Sequence, residues 1–172
     1  MMNEKDEHYC RIAFDLLNTY FPKWDKKDFI ESGGRTRIAN MFYSSVFYAK
    51  SIKTGIVGMD SSNDSKVDDH FISPRVMCHV VMEKMNHLLD DYEEFKEYFH
   101  RCQHTIKISS RKNNLVKIKN NNGKIKILRL TVDKYDDLKY YNENTSRIET
   151  GFPLKHMVPK KFTEWEKEHL LA

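Results

Sequence analysis

The hydrophobic period of this chain changes within a few residues. Lys66 to Ser73 alternates loosely, as a half-buried strand does, and from Pro74 the apolar residues Val76, Met77, Val80, Val81 and Met85 recur at helical spacing. Proline suits the first turn of a helix, where its missing N–H has no partner to lose, and Ser73 stands at the capping position. A chain that switches from period 2 to period 3.6 in this way must pack helices against a sheet. The expected class is therefore α+β.

Similar patterns extend that reading along the chain. A helix is expected over residues 4–21, where Tyr9, Ile12, Ala13, Leu16, Leu17 and Tyr20 share a face and Pro22 stops it. Gly33-Gly34 precedes a second helix, Arg35 to Lys50, with Ile38, Met41, Phe42, Val46 and Phe47 as its core stripe. Ser51 to Met59 reads as a strand, and the polar run Asp60 to Ser65 as a turn-rich loop. The Pro74 helix should reach about Leu89. Asp90 would cap a further helix with Tyr92, Phe95, Tyr98 and Phe99 inward. Thr105 to Ile108 reads as a strand and Arg111 to Lys117 as a short helix. Asn120-Asn121-Asn122-Gly123 reads as a hairpin turn between arms at 117–119 and 124–132. The remainder, Asp133 to Ala172, is polar and rich in aromatics, with loop at Gly151-Phe152-Pro153 and Val158-Pro159 and a closing helix over Thr163 to Leu171. The chain is expected to form one domain: N-terminal helices in 1–50, a core in 51–132 and an extension in 133–172.

Composition narrows the class of function. Of the 172 residues 40% are apolar and 31% charged, enough apolar material for one modest core. Mean hydropathy is −0.71 and no apolar run approaches the roughly 20 residues of a bilayer span, so no membrane role is expected. The polar start Met1 to His8 leads into no signal-peptide core, which implies a soluble, cytoplasmic protein. Cys10, Cys78 and Cys102 are far apart and odd in number, so buried thiols are expected rather than disulfides or a structural zinc site. The net charge of +4 matters less than its distribution. From His104 to Leu130 there is no Asp or Glu, but there are Lys107, Arg111, Lys112, Lys117, Lys119, Lys124, Lys126 and Arg129. Such a block can neutralise phosphates, which points to nucleic acid as partner; a solvated basic face is the alternative.

Two segments carry chemistry. Val67-Asp68-Asp69-His70-Phe71-Ile72-Ser73-Pro74 places an Asp-His pair at a strand end, with proline four residues beyond the histidine. Ile106 to Leu115 places Asn113 and Asn114 in a Ser-capped basic segment. Together they resemble the two halves of the HNH (His-Me finger, ββα-metal) endonuclease motif of the phage type, and Leu89 to Phe95 resembles the spacer of such members. The resemblance covers roughly Val67 to Leu115 and implies a small ββα-metal core with additional packed helices. It implies His70 as general base, Asp69 as one ligand of a single Mg²⁺ or Mn²⁺ ion, and Asn113 as the other, with Asn114 the alternative if the register moves by one. Arg75, Arg111, Lys112, Lys117 and Lys119 would then contact the backbone of DNA, or of RNA, without reading sequence. The long separation from His70 to Asn113 must accommodate two helices. The residue types fit phosphodiester hydrolysis, since an imidazole can take a proton from water near neutral pH and a hard cation takes carboxylate and amide oxygens. His100 and His104 have the i,i+4 spacing of a zinc pair but lack an acid between them in the required place, which excludes a metalloprotease. The rival expectations are a non-catalytic nucleic-acid-binding protein that uses the 104–130 ribbon and a small protein-interaction or inhibitor module. A homodimer would suit a cutter of symmetric duplex sites.

Overall fold

The computed structural model describes residues 2–59, 65–70, 73–109, 120–121, 124–125, 138–151 and 153–164. Helix α1 spans Glu4–Tyr20, α2 Lys27–Glu31 and α3 Gly34–Tyr48. Strand β1 (Ile52–Gly58) and strand β2 (Lys66–His70) follow, then α4 (Pro74–Glu83) and α5 (Tyr92–Cys102). Strand β3 is His104–Ser109. Strands β4 (Asn120–Asn121) and β5 (Lys124–Ile125) pair antiparallel across a two-residue connection, where the Asn-Gly signal predicts a hairpin. Strands β6 (Lys139–Asn142) and β7 (Arg147–Thr150) complete a mixed five-stranded sheet of order β2-β3-β1-β6-β7. The α+β class is as the sequence predicts.

Local chemistry explains the helix boundaries. Asn3 caps α1 by accepting the Asp6 N–H at 2.9 Å. Pro74 opens α4, although the Ser73 side chain makes no capping bond. The cap of α5 is Asp91, one residue later than expected, and its carboxylate accepts from Glu93 N and Glu94 N. The helix expected over 74–89 is instead α4 followed by a 3-10 turn, Asn86–Leu89.

One core joins the helices to one face of the sheet. Ala13 and Leu17 of α1, Phe42 and Val46 of α3, Val81 of α4 and Phe95, Tyr98 and Phe99 of α5 are wholly buried. They meet Ile56, Ile106, Ile108 and Tyr140 from the strands. Each large apolar side chain buried this way contributes about 1.5–3 kcal/mol. Two helix stripes differ from the pattern expected from sequence. Ile38, Phe42 and Val46, four residues apart, form the inward face of α3, and this leaves Met41 and Phe47 to solvent, 52% and 57% exposed. Ile12 of α1 is exposed for the same reason. The three cysteines are buried, and burial pushes the Cys10 thiol up to about 12.

Strands β1 and β2 are consecutive in sequence but are not paired with each other in the sheet. Strand β3 lies between them, parallel to β1 and antiparallel to β2. A parallel neighbour requires a crossover, and α4 and α5 supply it. No strand is expected beyond Val132, yet β6 pairs with β1 through Ile56↔Asn142, Val57↔Tyr141 and Gly58↔Tyr140, and β7 pairs with β6. The β1–β3 pairing shifts register between Lys53 and Val57, where Gly55 has φ +75°. A Cβ on Gly55 would sit 2.8 Å from Asn144 Nδ2, which donates to Thr54 O. Gly55→Ala should therefore cost about 1–2 kcal/mol from the left-handed backbone alone. A urea midpoint equal to that of the native chain would rule out this backbone strain.

Candidate functional site

The Asp-His pair ends β2, an edge strand of the sheet. Register sets Asp69 opposite Ile106 and His70 opposite Thr105. Successive strand residues point to opposite faces, so Asp69 lies on the helix-packed side with Ile106 and Ile108. His70 lies on the other side with Asp68 and Lys107. On that side Lys53 reaches Asp68 at 3.7 Å. A hollow of about 40 Å³ there is lined by Lys53, Asp68, Thr105 and Lys107, room for water but not for a nucleotide. Any ligand larger than a few waters would have to lie along the β2 edge and the outer surface rather than inside this hollow.

Both members of the pair are half-buried. His70 Nε2 is buried and has no hydrogen-bond partner among the described residues. Leaving such a nitrogen unpaired costs about 1–3 kcal/mol. Burial lowers the His70 pKa below its usual value, and the neighbouring Asp69 carboxylate only partly offsets this. The imidazole is thus neutral at pH 7, with a lone pair to offer.

The chain between β2 and β3 folds away as an insertion. The excursion through α4 and α5 returns alongside the Asp-His strand, and His70 pairs with Thr105 at the start of β3. Asn113 and Asn114 lie outside the described residues, as do Arg111, Lys112, Lys117 and Lys119. The last described residue before them is Ser109, which pairs with Lys66 at the end of β2 away from His70.

A magnesium-type ion is held by one or two protein oxygens, with waters and substrate phosphate completing the shell. The Asp69 carboxylate fits that donor chemistry. Among the described residues no three His, Cys, Asp or Glu side chains converge as a metal group. Arg75 is exposed in the first turn of α4, with its guanidinium 5.0 Å from the Tyr43 ring centroid. His79, in α4, is buried and bonds Glu83 at 3.1 Å, a structural role. His104 is buried, with Nδ1 against the His100 and Arg101 carbonyl oxygens, and desolvation lowers its pKa to about 4. Trp24 and Tyr140 are core residues, whereas Tyr141 is 37% exposed.

One polar cluster has no counterpart among the residues that sequence singles out. Tyr140 Oη donates to Glu149 at 3.0 Å and lies 3.2 Å from His156 Nε2, and the Asn142 amide lies 3.4 Å from His156 Nδ1. Lys155 pairs with the same Glu149 oxygen. The Lys155 contact, helped by Tyr140 and His156, holds the Glu149 carboxyl down to about 2. These groups satisfy one another and pin the β6–β7 hairpin to residues 153–156, a fastening rather than a reaction centre. Its only sequence signal is the alternation Tyr140, Asn142 facing Glu149, legible once the hairpin is known.

No protein-family model, curated protein or solved structure matches the chain. Among the described residues no helix is long and apolar enough to cross a membrane.

Proposed function

We propose that the chain hydrolyses phosphodiester bonds of nucleic acid, with His70 as general base and one Mg²⁺-type ion as cofactor. The observation that carries this reading is the buried Nε2 of His70, unpartnered among the described residues, in an Asp-His pair at the end of an edge strand. A water hydrogen-bonded to Nε2 loses its proton to the ring as its oxygen attacks phosphorus. One P–O bond forms, the opposite P–O bond breaks, and the departing oxygen is protonated from solvent. Asp69 and Asn113, or Asn114, would hold the ion, which when bound polarises the phosphoryl oxygen and shields charge on the leaving group. Arg75 would contact a phosphate beside the cut, and Arg111, Lys112, Lys117 and Lys119 would follow the backbone away from it.

Nicking of supercoiled plasmid tests the proposal. With Mg²⁺ or Mn²⁺ the chain should relax the plasmid, and EDTA should abolish the activity. Of Asn113→Ala and Asn114→Ala, the substitution that removes the ligand should raise the metal concentration needed for half-maximal rate. No cutting of plasmid, single-stranded DNA or RNA with either metal would reject the reaction.

A further inference from the structure

The side chains that α3 leaves in solvent are not scattered. Tyr43 and Phe47 stack with ring centroids 6.0 Å apart, Phe47 meets Tyr48 edge-on at 5.6 Å, and Tyr48 stacks on Tyr9 of α1 at 5.8 Å. His8 continues the row at 5.5 Å from Tyr9. At the other end Arg75 lies over Tyr43. Phe47 and Tyr48 are 57% and 55% exposed, so ring surface is open to a ligand along a continuous row spanning three helices.

Helices α3 and α4 run antiparallel. Arg75 meets Tyr43 at one end of the pair, and Glu83 meets Arg35 at 3.5 Å at the other. The row therefore begins where α4 begins. Arg75 follows His70 by five residues, a span of at most about 18 Å. The aromatic row thus starts within about 18 Å of the Asp-His pair.

Charge selects the occupant. Gly33 to Met59 contains Arg35, Arg37, Lys50 and Lys53 and no Asp or Glu, although Arg35 is paired with Asp25 and Glu83 and Lys53 with Asp68. The nearest acids of α1 are drawn elsewhere: Asp6 accepts the Lys50 N–H and Glu7 pairs with Lys96 at 2.6 Å. Two exposed rings flanked by half-buried ones, on a helix that carries no acid and ending in an arginine stacked on a ring, suit a strand that offers both base faces and phosphates. Paired bases inside a duplex hide the faces that such rings take.

We propose that Tyr43, Phe47, Tyr48 and Tyr9 form a stacking surface for an unpaired nucleic-acid strand, with Arg75 on its phosphate at the end nearest His70. The choice of nucleic acid rests on the hydrolase reading above, and the surface names its substrate form as single-stranded.

Binding is measured without cutting. A labelled oligothymidylate of about 15 nucleotides and a duplex of equal length are titrated with the full chain in EDTA, followed by fluorescence anisotropy. The single strand should bind more tightly than the duplex. Phe47→Ala and Tyr48→Ala should each weaken it about tenfold or more, and Phe47→Trp should retain it. Both positions are exposed, and circular dichroism checks that the variants stay folded. Equal binding by native chain and Phe47→Ala, or tighter binding to the duplex, overturns the proposal and leaves the row to a protein partner. Oligonucleotide binding that needs Phe47 in a chain that never nicks would sink the hydrolase and keep the surface. Nicking with binding indifferent to Phe47 would do the reverse.

Discussion

A folded His70→Ala chain should cut nucleic acid about 10²–10⁴-fold more slowly than the native one, the usual contribution of a positioned base. Substrate binding in EDTA should not change, because the loss lies in proton transfer. The pH profile makes the expectation specific to this imidazole. A general base works in its neutral form, and burial lowers the His70 pKa below 6.5 with only partial compensation from Asp69. The acid limb of kcat/KM should therefore lie below pH 6.5 in the native chain. The same shift has a stability consequence. The folded chain resists protonating His70, so the unfolded chain binds more protons once pH falls below 6.5. Stability from this group is complete above pH 6.5 and is lost as the solution is acidified through the folded pKa. His100, lowered by burial, and His104, lowered to about 4, act in the same direction. An acid limb above pH 6.5, or native rates in His70→Ala, would remove His70 from the mechanism.

The parts of this fold that sequence makes plain are those set by neighbours in the chain. Pro74 starts a helix because its ring fixes φ and it has no N–H to leave unpaired, and α4 begins there. Phe95, Tyr98 and Phe99 recur at helical spacing, and all three are buried. The Asn-Gly hairpin is equally local. What escapes is set by distant partners. Strand β3 enters between β1 and β2 because it completes a crossover, a pairing that no window around Ile106 contains. Strands β6 and β7 are four residues each, and their polar alternation makes sense only against β1. Met41 and Phe47 are apolar enough for a core, yet the four-residue spacing of Ile38, Phe42 and Val46 turns them outward. The candidate site divides along the same line. Asp69 and His70 are adjacent, so strand geometry alone sends them to opposite faces. The asparagines, more than forty positions on, lie beyond Ser109 and outside the described residues, and no local pattern around His70 contains them.

Arg101→Ala should lower stability by about 3–5 kcal/mol, far more than an exposed arginine would. Its side chain is wholly buried in the last turn of α5, although arginine is among the residues least often found inside. The guanidinium donates to Pro159 O at 2.8 Å and to Thr163 Oγ1 at 3.2 Å. Alanine would strand these acceptors in the interior and open a cavity beneath residues 159–163. Arg101→Met should cost less, since it refills the volume, but more than nothing, since the Pro159 carbonyl still loses its donor. Arg101→Lys keeps the charge and forfeits the fork that reaches two acceptors at once. The order Ala, then Lys and Met, then native, read from urea midpoints at constant m-value, tests hydrogen bonding and packing together. A cost below about 1 kcal/mol for alanine would mean that the 159–163 segment contributes little to the fold. The clamp also bears on the site. Phe162 packs on Tyr98 with centroids 5.1 Å apart, so loosening this segment uncovers α5, part of the insertion that separates β2 from β3. Under native conditions Arg101→Met should still nick plasmid, because Asp69 and His70 take their positions from the β2–β3 register rather than from the clamp.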